Sequence, residues 1–139
     1  MKVAELMTRE PATLRPESTC ADAAVLMMRE DRGSLPVLKD GKLVGIVTDR
    51  DIVVRGIAGG KDPARLAVSE VMTAGPASIG PDATAEDASK LMSAKQVRRL
   101  PVVENGRLVG VLAIGQVARH ESASAAGATL KDVSQPAKR

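Results

Sequence analysis

The sequence predicts an α/β fold in which two pseudo-symmetric β-α-β-β-α repeats pack as one module. Three observations carry this expectation. Laying residue n against residue n+65 gives an ungapped self-match with 19 identities in 50 positions over residues 3–52. Each copy holds a Thr-x-x-Asp cap ahead of apolar residues at i, i+3 and i+7, the pattern of an amphipathic helix. Each then sets two short apolar runs around Asp-Gly or Asn-Gly, a hairpin signal.

The elements follow in order. Val3-Ala4-Glu5-Leu6-Met7-Thr8 opens the first copy and Val68-Ser69-Glu70-Val71-Met72-Thr73 the second. Extended lead-ins fall near residues 12–14 and 77–79. Thr19 with Asp22, and Thr84 with Asp87, can each satisfy free N–H groups at a helix start. The helices then present Cys20, Ala23 and Met27, or Ala85, Ala88 and Met92, on one face. Leu35-Pro36-Val37-Leu38 turns at Asp40-Gly41 into Leu43-Val44-Gly45-Ile46-Val47, and the second copy turns at Asn105-Gly106. Second helices are expected over residues 49–58 and 115–120. Neither copy buries its sheet and helix faces alone, so the two are expected to pack sheet to sheet. Residues 1–58 read as the first motif, 59–67 as a Gly/Pro-punctuated connector and 68–120 as the second motif. Residues 121–139, Ala/Ser-rich and aperiodic, read as a mobile tail.

Composition narrows the function classes. With 44% hydrophobic and 27% charged residues over 139 positions, global disorder is excluded. No apolar run approaches the ~18 residues of a membrane span, and the N-terminus lacks a secretory pattern, so a cytoplasmic protein without membrane contact is expected. A single Cys makes no internal disulfide, in keeping with a reducing compartment. The net charge of +3 is spread through the chain, and no aromatic side chain is present on which a base could stack, which argues against nucleic acid.

One run stands out chemically: Gly45-Ile46-Val47-Thr48-Asp49-Arg50-Asp51. Thr48 should close a strand and Asp51 should lie in the next helix's first turn, so that hydroxyl and carboxylate converge. A carboxylate only accepts hydrogen bonds, which suits paired ribose hydroxyls. Thr48 and the free N–H groups of the helix start suit phosphate oxygens. The same Thr-x-x-Asp spacing also caps helices in many proteins. In the second copy, Gly110-Val111-Leu112-Ala113-Ile114-Gly115-Gln116 has lost both polar anchors.

The paired copies, with their Leu-Pro-Val hairpins and Gly-Ile-Val-Thr-Asp-Arg-Asp run, resemble a tandem pair of CBS motifs, the module named after cystathionine beta-synthase. The resemblance covers about residues 1–120. The run from Thr48 to Arg55, followed by Gly59-Gly60-Lys61-Asp62-Pro63, is especially similar to small stand-alone bacterial members, hypoxia- or stress-response types among them. It implies a homodimer in which four motifs form a flat disc, and an adenosine-containing ligand (AMP, ADP, ATP or a related adenosyl compound) in a cleft that joins one repeat's signature to the other's lead-in. Carried over, the ligand residues are Thr48, Asp49, Arg50 and Asp51, with Ala77, Ser78 and Ile79 around the base and Arg98 and Arg99 at phosphate. The opposite cleft would receive Gly33 and Ser34 with Ala113 and Gln116.

The remaining reactive groups are poorly placed for chemistry. His120 has no second His or nearby Cys at ligand spacing, Cys20 matches Ala85 on an apolar face, and no base accompanies a nucleophile. No enzyme, required cofactor or metal is expected. The expected function is a regulatory sensor of adenosine nucleotides that signals through its dimer to a protein partner. The alternative is a structural dimerisation or docking module whose pocket is vestigial.

Overall fold

The computed structural model describes residues 1–120, and the tail expected over residues 121–139 lies outside them. Along the chain run α1 (Val3–Leu6), β1 (Thr8–Arg9), α2 (Cys20–Glu30), β2 (Ser34–Lys39), β3 (Lys42–Thr48) and α3 (Asp49–Asp51). A π-helical segment, Ile52–Ile57, and a 3-10 turn, Val68–Glu70, come next. The second copy supplies β4 (Thr73–Ala74), α4 (Ala85–Lys95), β5 (Arg99–Glu104), β6 (Arg107–Ala113) and α5 (Ile114–Ala118).

Local chemistry accounts for these boundaries. Thr19 Oγ1 accepts the Asp22 N–H at 3.0 Å while Asp22 Oδ2 accepts the Thr19 N–H at 3.2 Å, and Thr84 with Asp87 repeats the box at 3.1 Å both ways. These bonds hold the Asp87 carboxyl below its ordinary range, since they favour the charged form. The hairpins turn where expected, with positive φ at Asp40 and Gly41 and again at Asn105 and Gly106, as a tight two-residue turn requires. Both ladders shift register at one place, between Val37 and Leu38 and between Val102 and Val103. The helix expected over residues 49–58 is present but changes from α to π after Asp51. It ends where Gly60 turns to φ +77° and the Lys61 N–H reaches back to Gly56 O at 3.1 Å, a glycine-based helix stop.

The chain forms two compact units, and their boundaries are not those of the repeats. Among the described residues, Ala12–Pro76 is one unit, and Met1–Pro11 with residues 77–120 makes the other. Each therefore takes the segment that opens the other repeat. In the first, β3 pairs antiparallel with β2 and β4, and the Leu14 N–H and O bond Pro36 O and Leu38 N–H along β2. Its core joins Cys20, Ala23 and Met27 to Leu35, Val37 and Val47, closed by Leu66, Val68 and Val71 from the later segment. In the second, β6 pairs with β5 and β1, and Ile79 bonds along β5 as Leu14 does along β2. There Val3, Leu6 and Met7 close a core of Ala85, Ala88, Met92, Leu100, Val102 and Leu112. The exchange fits the burial: Val3, Val68 and Val71 are almost wholly covered, which so short a turn cannot achieve by itself.

Candidate functional site

The Gly45 to Asp51 run leaves the central strand of its unit and enters a helix, and hydrophobic anchoring fixes the transition. Val47 and Ile52 are buried on either side, leaving Thr48 and Asp51 half-buried between them. Thr48 Oγ1 accepts the Asp51 N–H at 3.0 Å, and Asp51 Oδ2 accepts the Thr48 N–H at 2.9 Å. The two expected ligand groups thus also cap the helix, and the cap is what aims them. Asp51 keeps its second oxygen for other work: Oδ1 lies 3.9 Å from Arg55 Nε, and the Asp51 side chain is 15% exposed.

The helix start is not a phosphate cradle in this structure, which corrects the expectation of free N–H groups. The Asp49 N–H goes to Gly33 O at 2.9 Å, the Arg50 N–H to Asp49 Oδ1 at 2.8 Å and the Asp51 N–H to Thr48 Oγ1. Each donor is occupied, and Asp49 and Asp51 would both repel an anion there. Gly33 packs closely here: a Cβ on it would stand 3.1 Å from Asp49 Oδ2, so the Asp49 side chain would have to shift by a few tenths of an ångström. Arg50 is exposed.

The equivalent turn of the other unit solves the capping problem differently. Gln116 Oε1 accepts the Ala113 N–H at 2.8 Å, and Gln116 Nε2 donates to Thr8 Oγ1 at 3.0 Å. Its carboxamide is engaged at both ends, and Ala113 brings no hydroxyl. Arg99 opens β5 directly opposite Ala113, half-buried, while Arg98 is exposed and its carbonyl accepts the Ile114 N–H at 2.8 Å. Ala77 and Ile79 pack against this unit's core and Ser78 is exposed. Thr48, Asp49, Arg50 and Asp51 are therefore brought together in one unit, and Ala77, Ser78, Ile79, Arg98 and Arg99 belong to the other.

Two features of the site escape the motif. Arg55 Nη1 donates to Val71 O at 3.1 Å while its Nε faces Asp51; the Asp-x-x-x-Arg spacing, a helical i, i+4 pair, was the available signal. Gly45 and Gly110 are seats for Met72 and Met7, which the recurrence of Met at matched positions could have revealed.

The reactive residues outside the run are structural. Cys20 is wholly buried, and burial, aided by the Glu70 charge, pushes its thiol up and away from reactivity. Among the described residues no group of three or more His, Cys, Asp or Glu side chains is placed to hold a metal ion. No helix among them is long and apolar enough to cross a membrane.

Comparison with known proteins agrees with this architecture. The CBS domain family model matches residues 3–56 and again 68–122. The chain is 42% identical over 133 residues to the CBS domain-containing protein YhcV of Bacillus subtilis, covering 95% of this chain and 94% of that one. Among solved structures it resembles Hypoxic Response Protein I with two coordinated zinc ions, at 32% identity and a TM-score of 0.81 over 88% of this chain and 100% of that one. It also resembles CBSX2 in complex with AMP, at 30% identity and a TM-score of 0.75 over 86% of this chain and 94% of that one. With two matched motifs spanning most of its length, the chain belongs to the CBS domain family as a tandem pair.

Proposed function

We propose that this chain is a regulatory module that binds an adenosine nucleotide and passes its occupancy to a protein partner. The observation that carries the reading is Asp51, a half-buried carboxylate fixed by its cap, with one oxygen directed away from that cap. Such a group selects a ligand with donor hydroxyls, and a ribose offers two side by side. CBSX2, a relative with this fold, binds AMP. The family resemblance adds Thr48, Asp49 and Arg50 beside Asp51, with Ala77, Ser78 and Ile79 as partners of the base. The same resemblance implies Arg98 and Arg99 at phosphate, for which a planar guanidinium is suited. The proposed module is non-catalytic and cytoplasmic.

Titration calorimetry with AMP tests the reading, alongside melting curves with ATP, NAD and S-adenosylmethionine. One site per chain is expected, because Gln116, the counterpart of Asp51, has its carboxamide oxygen and nitrogen already bonded. Ligand at a hundred times its dissociation constant should add about 2.7 kcal/mol to stability. Two equal sites per chain would refute the asymmetry, and no heat at millimolar AMP would refute the sensor.

Assembly as a homodimer is the second part of the proposal. Val53, Val54 and Ile57 of the π-helical segment are 54%, 47% and 54% exposed, a cluster of large apolar side chains that a second copy would cover. Light scattering at micromolar concentration should give twice the chain mass, whereas Val54→Asp should give the monomer. A parent chain that scatters as a monomer excludes the dimer.

A further inference from the structure

The two turns that follow the hairpins must each hold the exchanged segment beside them, and they do so with different chemistry. Gln116 carries an acceptor and a donor on one side chain: the oxygen caps the helix and the nitrogen reaches Thr8 in the exchanged segment. Asp51 stands at the matched position, but a carboxylate has no donor to give. Beside it Arg55 faces Asp51 Oδ1 through Nε and bonds Val71 O through Nη1. Val71 is buried, ends the 3-10 turn and leads through Met72 into β4. Arg55 itself sits in the π-helical segment that begins directly after Asp51, an uncommon backbone form that gathers at functional sites.

We propose that Arg55 is a positioning residue of the binding turn, supplying the donor that Asp51 lacks and tying that carboxylate to Val71. The inference rests on the nucleotide reading for its consequence, that occupancy of Asp51 is felt at Val71, Met72 and β4. It rests on the geometry alone for the tie. The guanidinium suits the task because one planar group offers two separate N–H directions, whereas an ammonium offers a single point of attachment. Ribose hydroxyls arriving at Oδ1 share that oxygen with Arg55, so the ligand pulls on the same fork that holds the exchanged segment.

Amide hydrogen exchange on the full chain without ligand tests the tie. The reporters are the N–H groups of Val71, Met72 and Gly75, bonded to Val68 O, Val68 O and Val44 O. Arg55→Ala should speed their exchange about two- to fivefold, the scale of an exposed charge pair, and leave the α2 amides unchanged. Arg55→Lys should behave like Arg55→Ala. Unchanged exchange in Arg55→Ala, or full rescue by Arg55→Lys, overturns the tie. A second arm compares AMP with its 2′,3′-dideoxy analogue. If Arg55 acts through Asp51, Arg55→Ala should weaken AMP about two- to fivefold and leave the dideoxy compound alone. Equal losses for both ligands overturn positioning through the carboxylate. A parent protein indifferent to AMP removes the nucleotide reading instead, and the exchange arm then decides the tie by itself.

Discussion

Asp51→Asn should weaken AMP about 10- to 100-fold, the ~1.5–3 kcal/mol of hydrogen bonds made to a charged group, while the protein melts close to the parent temperature. Asparagine keeps a side-chain oxygen for the Thr48 N–H, so the cap that Asp51 Oδ2 now makes at 2.9 Å survives. What changes is the other end of the group, where an acceptor becomes an NH2 donor facing the donor hydroxyls of a ribose. Asp51→Ala would remove cap and acceptor together and confuse the two effects. The 2′,3′-dideoxy analogue of AMP should bind the parent and Asp51→Asn alike. Equal affinity of the parent for AMP and the dideoxy compound would sink the assignment, because then the carboxylate reads no hydroxyl.

Much of this arrangement is legible in the chain because it rests on local rules. The Thr19 and Thr84 boxes, the Asp-Gly and Asn-Gly turns and the buried faces of Cys20, Ala23 and Met27 or Ala85, Ala88 and Met92 each depend on residues a few positions apart. The Thr48 and Asp51 pair was legible for the same reason. What was not legible is long-range. Val3, Leu6 and Met7 open the first repeat in sequence but bury against Leu100 and Leu112, and a four-residue helix is too short for periodicity to say which core it serves. The occupied helix start was hidden because its acceptors are a carbonyl, Gly33 O, and the carboxylate of the adjoining residue, Asp49. Neither leaves a mark in the spacing. The loss of Thr and Asp in the second copy was visible. That Gln116 turns the loss into a bond with Thr8 depends on the fold bringing residues 8 and 116 together.

The glycine that opens each signature gives the second large effect, and here the two copies should differ. Gly45 and Gly110 both have ordinary negative φ, so the need is for space and not for backbone freedom. A Cβ at Gly45 would have its nearest atoms all in the Met72 side chain, which is flexible and can swing aside. At Gly110 it would meet Met7 Sδ at 2.6 Å and Thr8 O at 2.8 Å, and the second of these is backbone held in the β1–β6 ladder. Gly45→Ala should therefore cost about 1 kcal/mol and Gly110→Ala about 2–3 kcal/mol, within the range for overpacking a filled core. Chemical denaturation of the two variants measures the difference. A double-mutant cycle separates the causes: Met72→Ala should relieve most of the Gly45→Ala strain, while Met7→Ala should relieve little of the Gly110→Ala strain because Thr8 O remains. Gly110→Ala no less stable than Gly45→Ala would show that β1 yields easily. The exchanged segment would then be a loosely held flap against β6, contrary to the close seat that Met7 and Thr8 make over Gly110.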